Sequence, residues 1–412
     1  MAGLDYPVFP LDLSPDGRWL MVAFEIEYST GRAAMAVIDT QGESHWWMNT
    51  QANFFSPYFV TYPYLYPSLY PRWLPDGRLL WVNQVCKVFV WDGQNRRELS
   101  APEPVHPVYW VVYASKGIAF ANTWDGGLWR VDLASERWEE VTTHRPPRLG
   151  RLGNAILAFN GSYALAFQTD QSAAQMWRIP AEMGSFAEPL PDIQDWVDVP
   201  GHGGPSGPPS THLADTPYWL LNVGIALVVN ERDGSIITAK DLHLPEGYYI
   251  IDYYASPDGR WLAVTITDDR QQPWEQPDMY IAPSTDLTAG RIVEGVSVAG
   301  WHIDAPAVIL RDQATGALSV ARLPLADATP RAPLDNAMSP LVTLPNMVFA
   351  VDAASPARLL QFDLDGNLLS TLDLSSQYDL IRTGTGTAGR VFLGVTRSQD
   401  GSHALVEWAV GP

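Results

Sequence analysis

The heptapeptide SPDGRWL stands at residues 14–20 and again at residues 256–262, and imperfect copies, LPDGRLL and SQDGSHAL, occupy residues 74–80 and 398–405. A repeated segment with short alternating apolar runs on both sides is a strand, a tight turn and a second strand. Such hairpins, recurring along one chain, are the signature of blades set around a ring.

The turn residues explain why the copies agree where their flanks have diverged. Proline presets φ at the first corner, aspartate hydrogen-bonds the backbone that follows it, and glycine takes the positive φ of the last corner. After the turn, residues 18–24 (RWLMVAF) and 260–266 (RWLAVTI) are rich in β-forming apolar residues and carry too few charges for a surface helix. They read as strands buried on both faces. The fold class expected is all-β: one β-propeller of four-stranded antiparallel blades, spanning residues 1–412 as a single domain.

Composition agrees with that class. The 412 residues exceed one ordinary core but suit a ring in which each blade touches its neighbours. The 17 tryptophans and 17 tyrosines suit wedge-filling between blades, and the 34 prolines and 32 glycines suit many turns. The formal charge of −20, with lysine only at 87, 116 and 240, repels phosphate backbones and anionic membranes, so nucleic acid is not expected as a partner. A single cysteine, Cys86, excludes internal disulfides and cysteine-based metal sites; it falls in the strand-like run 85–90 and reads as a buried thiol. The first ten residues show no leader pattern and no span long enough for a membrane helix occurs, so the expectation is a cytoplasmic monomer, unless a leader has been removed.

First-hairpin turns are expected near Pro15, Pro75, Lys116, Gly161, Val223, Pro257, Ala305, Pro345 and Ala388, with outer strands at 127–133, 175–179, 279–282, 318–323 and 359–364. Most steps are close to the forty-odd residues of one blade. Nine marks exceed the usual four to eight blades. Eight blades are therefore expected, with seven or nine left open. Two long steps contain insertions, an aromatic and proline-rich one at 50–70 and a glycine- and proline-rich one at 200–216. The run 403–410 ends the chain as a strand, and residues 4–13 are positioned to close the last blade.

The SPDGRWL copies resemble the WD40-like repeat of TolB-type propellers, which also occurs in the propeller domains of prolyl oligopeptidase-like peptidases. The resemblance covers the turn and second strand of two blades well and of two more in part. It implies a rigid ring used for binding proteins, peptides or sugars. The peptidase branch would need a serine on a G-x-S-x-G elbow, and no such pentapeptide is present.

Motifs for chemistry are few. Gly384, Gly386 and Gly389 match G-x-G-x-x-G, but a strand-like run follows in place of a helix, so a hairpin turn is the better reading. Asp363, Asp365 and Asn367 resemble the start of a calcium loop, yet Leu374 stands where glutamate is required. His202, His212 and Asp215 share one insertion and form the weak candidate for a metal site. Asp12, Asp195, Asp252 and Asp304 lie near the ends of expected inner strands, where a pair could serve as acid and base; capping of turns is the competing role. No cofactor is expected.

Residues 46–73 are the most distinctive non-repeat segment. They contain Trp46, Trp47, Phe54, Phe55, Tyr58, Tyr62, Tyr64, Tyr66 and Tyr70, four prolines, and no charge before Arg72. Proline denies helix, so the segment is expected as a stiff aromatic strap that either packs on its own blades or offers a docking surface for a protein partner. Two functions follow: a non-catalytic protein-binding scaffold or subunit, or a propeller hydrolase or lyase for a carbohydrate or related small molecule.

Overall fold

The structure, a computed structural model, describes residues 8–27, 32–42, 45–52, 71–83, 86–103, 107–123, 127–142, 156–159, 162–169, 174–193, 211–222, 226–268, 277–302, 304–325, 331–387, 389–397 and 399–410. Every regular element among them is a β-strand, and the strands form antiparallel meander sheets in chain order. This is the repeating architecture of a β-propeller.

The first sheet is β1 (Val8–Leu13), β2 (Trp19–Glu27), β3 (Arg32–Asp39) and β4 (His45–Ala52). The second is β5 (Arg72–Trp73), β6 (Leu79–Val82), β7 (Val88–Trp91) and β8 (Arg96–Leu99). The third is β9 (Val108–Ser115), β10 (Ile118–Thr123), β11 (Leu128–Asp132) and β12 (Trp138–Glu140). The fourth is β13 (Ile156–Phe159), β14 (Tyr163–Thr169), β15 (Ala174–Pro180) and β16 (Glu188–Pro189). The fifth has three strands, β17 (Thr211–His212), β18 (Tyr218–Asn222) and β19 (Ala226–Asn230). The sixth is β20 (Tyr248–Ala255), β21 (Trp261–Asp268), β22 (Asp278–Pro283) and β23 (Arg291–Val293). The seventh is β24 (Val296–Trp301), β25 (Ala307–Asp312), β26 (Leu318–Arg322) and β27 (Ala332–Leu334). The eighth is β28 (Ala337–Leu344), β29 (Met347–Asp352), β30 (Ser355–Asp363) and β31 (Leu368–Asp373). The ninth again has three, β32 (Leu380–Thr387), β33 (Arg390–Thr396) and β34 (His403–Ala409).

Nine sheets among the described residues is the highest of the numbers left open by the turn count. The turn marked at Val223 belongs one hairpin earlier: residues 213–217 join β17 to β18, with Asp215 at φ 60° doing what glycine does elsewhere. The end of the 200–216 insertion is therefore a strand and its turn. The runs taken as outer strands are third strands, each with a fourth beyond it. Gly384 and Gly386 lie inside β32, and only Gly389, at φ 92°, belongs to the turn. Cys86 also departs from expectation. It is half-exposed at φ 63° in the turn before β7, because its amide closes that turn on the Asn83 carbonyl at 2.9 Å.

The repeated heptapeptide builds the same hairpin twice. Ser14 Oγ donates to Asp16 Oδ1 (2.5 Å) and accepts the Trp19 amide (2.8 Å), while Asp16 Oδ1 accepts the Arg18 amide (3.1 Å). At the second copy the corresponding distances for Ser256, Asp258, Arg260 and Trp261 are 2.6, 3.0 and 3.1 Å, for the hydroxyl donation, the Trp261 amide and the Arg260 amide. Gly17 and Gly259 take φ of 68° and 69°. Serine, aspartate, glycine and the two amides after them thus each have a bond or a dihedral to satisfy. The strand that follows is buried on both faces as expected: Leu20 to Phe24 are all within the core.

Contacts divide the chain into two compact units, one of Met1–Tyr62, Pro245–Ile250 and Ser256–Pro412, the other of Pro63–Leu244 and Ile251–Ala255. Within each unit, successive sheets stack through apolar clusters. In the second unit, sheets two and three share Leu74, Val90, Val111 and Val131, and sheets four and five share Leu165, Met176, Trp219 and Val229. In the first, sheets seven and eight share Ile309, Val320, Val348 and Phe362, and sheets eight and nine share Leu344, Phe349, Ile381 and Leu393. The abundant tryptophans serve this packing where Trp219 is fully buried between sheets.

Arginines add polar ties between neighbouring sheets, a task for which a five-donor fork is better suited than an ammonium. Arg130 Nε donates to the Pro180 carbonyl at 2.8 Å, Arg178 Nη2 to Glu231 at 3.0 Å, Arg322 Nη2 to Asp365 at 2.8 Å and Arg390 Nη2 to the Gly17 carbonyl at 2.8 Å. The last tie joins the ninth sheet to the first. There β1 packs against β32, β33 and β34, with Val8, Phe24 and Phe392 in one cluster. Residues 8–13 do this as the innermost strand of the first sheet, paired to β2, and do not complete the ninth sheet as the sequence suggested. The apolar alternation of residues 4–13 suits either role; the Ser14 turn, which leads directly into β2, decides between them.

Candidate functional site

The candidate acids sit in separate local settings. Asp12 lies at an irregularity of β1, half-buried, with Oδ1 accepting the Leu13 amide at 2.9 Å. Asp252, midway along β20, is bonded in a similar way: Oδ1 accepts the Tyr253 amide at 2.8 Å and Oδ2 the Tyr254 hydroxyl at 3.0 Å. Burial pushes the Asp252 carboxyl above the ordinary value of 3.8, against the pull of those two bonds. Beside it Tyr253 is buried and donates to the Ile237 carbonyl. Asp304 is exposed in the turn between β24 and β25, where its amide donates to His302 Nδ1 at 3.2 Å. His302 Nδ1 also accepts the Ala305 amide, so the ring carries its proton on Nε2, which donates to the Leu344 carbonyl at 2.8 Å. Asp195 lies outside the described residues.

Of the metal candidates, His202 lies outside the described residues, and His212 and Asp215 share the β17–β18 hairpin. His212 Nε2 donates to the Thr216 carbonyl at 2.8 Å, and its ring packs on Trp219 with centroids 4.6 Å apart. Burial, the largest influence, lowers the imidazole below 6.5 despite Glu231 and Asp215 nearby. Among the described residues no group of three or more His, Cys, Asp or Glu is arranged to hold a metal ion.

A polar cluster that sequence reasoning missed lies beside this hairpin. Glu231, after β19, accepts the Tyr163 hydroxyl (2.7 Å), Trp219 Nε1 (2.9 Å) and Arg178 Nη2 (3.0 Å). Burial first, then the Glu231 carboxylate, pushes the Tyr163 phenol up to about 12. Three donors on one carboxylate leave little capacity for a substrate proton, so the cluster ties sheets four and five together. No local signal reveals it, because its members stand up to 68 residues apart.

Of the aromatic strap, Phe54, Phe55, Tyr58, Tyr62, Tyr64, Tyr66 and Tyr70 lie outside the described residues. The backbone of Trp46 and Trp47 belongs to β4, paired with Val37 and Ala36 of β3, so the segment begins as an outer strand and not as an insertion. Its far end, Arg72 and Trp73, is β5.

The surface feature that stands out is on the eighth sheet. Its outermost strand, β31, presents Leu368 and Leu369 at 55% and 52% exposure. It is six residues long, where the outermost strands of the sixth and seventh sheets have three. Its one charged residue, Asp373, is tied to Arg358 Nη2 at 2.9 Å and to Ser375 Oγ at 2.5 Å, which hold the carboxyl down to about 2.

No family model matches the chain, and no curated protein matches it by sequence. Among solved structures it is similar to Sqt1 of Saccharomyces cerevisiae, at 11% identity and TM-score 0.45, covering 99% of both chains. It is similar also to the β-propeller domain of Cps50 (Swd1) from Myceliophteria thermophila, at 14% identity and TM-score 0.37, covering 84% of this chain and 97% of that one. A third, oligogalacturonate lyase from Vibrio parahaemolyticus, shows 11% identity and TM-score 0.40, with 100% and 91% covered. At these identities and scores the likenesses carry no argument of their own, and the propeller fold rests on the sheets themselves. Among the described residues no helix is long and apolar enough to cross a membrane.

Proposed function

We propose that the chain is a non-catalytic propeller of the WD40-like, TolB-type class that binds a protein partner as a scaffold or subunit, with the edge of β31 as part of the docking surface. The observation that carries this is the exposed Leu368–Leu369 pair on an outermost strand. Such strands are ordinarily blunted by lysine, proline or a bulge that turns the edge away, because their open amides and carbonyls template pairing with another chain. Here the pairing with β30 is irregular at Leu369, but the strand carries no lysine or proline, and its one charged residue, Asp373, is paired with Arg358. A partner supplying an apolar strand with basic flanks fits this edge and the chain's −20 charge. The aromatic strap, with Trp46, Trp47 and Tyr62, belongs to the same proposal as a second contact, and cytoplasmic residence remains part of it.

The test is purification of the full chain from its own cells, stabilised by a crosslinker that does not depend on lysine, in three forms: wild type, Leu368→Lys/Leu369→Lys, and Tyr62→Ser/Tyr66→Ser/Tyr70→Ser. A stoichiometric protein lost from a variant whose urea midpoint is unchanged supports the reading. Variants that stay folded and keep the same partner refute it.

A second reading, a hydrolase or lyase acting on a carbohydrate or related small molecule, is favoured by one observation: the raised Asp252 carboxyl beside two tyrosines. A raised carboxyl is what a general acid requires. Turnover of a glycan panel, abolished by Asp252→Asn, would move the weight to this reading.

A further inference from the structure

The interface between the third and fourth sheets, both in the second unit, contains three buried nitrogen donors with no acceptor. Arg130 is 0% exposed and Asn122 4%; Arg130 Nη2, Asn122 Nδ2 and Trp177 Nε1 are each buried and unpartnered. Strand register places all three in the same interface. Arg130 pairs with Phe120 across β10 and β11, and Asn122 follows two residues on, so these three side chains share a face. That face meets the fourth sheet, since Arg130 Nε reaches the Pro180 carbonyl at the end of β15. On β15, Met176 and Arg178 face the fifth sheet, through the Trp219 cluster and Glu231. The pairing of β14 with β15 is uninterrupted, so Trp177 points the other way, toward the third sheet. The residues of β14 beside it on that face, Ala164 and Ala166, are buried alanines.

A buried donor left without an acceptor costs about 1–3 kcal/mol, and more when charged, and folded chains leave few of them. A guest that only accepts matches this lining better than water does, since a water's own hydrogens also need acceptors. The charges point the same way. Arg130 shares one carboxylate, Glu139 (3.1 Å), with Arg137 (3.5 Å), and that carboxylate is already held by the Gly184 amide at 2.7 Å. Arg130 thus has only a share of one carboxylate, while Arg137 is exposed and also lies near Asp132.

We propose that the interface carrying Asn122, Arg130 and Trp177 holds a binding site for one small oxyanion, a carboxylate or inorganic phosphate, with Arg130 Nη2 as the charged donor and Asn122 and Trp177 as neutral donors. The site is independent of the docking edge on β31. It is an internal ligand site whose occupancy stabilises the second unit.

Urea unfolding of the full chain, with sodium chloride replaced at constant ionic strength by sodium acetate or sodium phosphate, tests this. The wild-type midpoint is expected to rise saturably with one of the two, the responding anion identifying the class. Asn122→Asp places a carboxylate beside Arg130 and is expected to lose the anion response while matching or exceeding the wild-type midpoint in chloride. Asn122→Leu is expected to weaken the apparent affinity at least about fivefold. Native mass spectrometry of the wild type, which needs no variant to fold, is expected to show one bound oxyanion at saturation. A response to anions that is the same in wild type and both variants, or no response together with no added mass, overturns the proposal and leaves ordered water as the acceptor.

Discussion

Replacing Ser14 and Ser256 by alanine, singly and together, probes the motif that organises this chain. Each hydroxyl makes two bonds: it donates to the aspartate two residues on, at 2.5 and 2.6 Å, and accepts the tryptophan amide five residues on, at 2.8 and 3.0 Å. Both serines are buried, at 1% and 6% exposure. The bond to the tryptophan amide is worth about 1 kcal/mol, and the bond to the largely exposed carboxylate about 1 kcal/mol after solvent screening, so each substitution should cost roughly 2 kcal/mol. The two sites lie in different sheets of the same compact unit and share no partner, so the double variant should cost roughly 4 kcal/mol. Urea unfolding with unchanged m-values is the assay. The Ser14 hydroxyl is also the largest influence holding the Asp16 carboxyl below 3.8, so Ser14→Ala should move the Asp16 titration upward. Costs under about 0.5 kcal/mol at both sites, or a large cost at one and none at the other, would refute the claim that the serine's two bonds fix the hairpin.

Gly394→Ala should be among the most damaging small substitutions. The added Cβ would fall within contact distance of the Val8 carbonyl oxygen, forcing β1 away from β33, at a cost of about 2–3 kcal/mol read as a lowered urea midpoint. Glu231→Leu removes the acceptor of three donors, among them Arg178, and should cost about 3 kcal/mol, whereas Glu231→Gln should cost distinctly less. Asp252 sets a pH dependence. Its folded-state pKa is raised, so the folded protein binds the proton more tightly than the unfolded chain, and stability falls as pH rises from 3.8 through the folded value. Asp252→Asn should remove that slope, so its advantage over wild type should grow across the same window and then level off; a parallel pH profile for the two proteins would contradict this.

The turns were the legible part of the fold, for a reason visible in their bonds. Pro-Asp-Gly turns advertise themselves because only those residues meet the dihedrals and the amide, and Gly17, Gly77 and Gly259 all take positive φ where the motif put them. The β17–β18 turn was displaced because Asp215 adopts positive φ without glycine, and because the two-residue β17 lies in a run whose composition reads as loop. Cys86 misled in the opposite direction. Its apolar neighbours signal a strand, while the turn it forms depends on Asn83, with no glycine or proline to mark it. The aspartates were legible as candidates but not as partners of particular amides. The Glu231 cluster and the Asn122–Arg130–Trp177 interface were invisible because strand register between sheets, absent from any local window, brings their members together.

Hydrogen–deuterium exchange of the full chain, free and bound to the partner recovered from its own cells, tests the proposed scaffold function most directly. Strand addition protects the open amides of an edge strand. The account predicts new protection in 368–373 on binding, absent from Leu368→Lys/Leu369→Lys at an unchanged urea midpoint. Protection confined to other segments, with β31 exchanging as in the free chain, would contradict it.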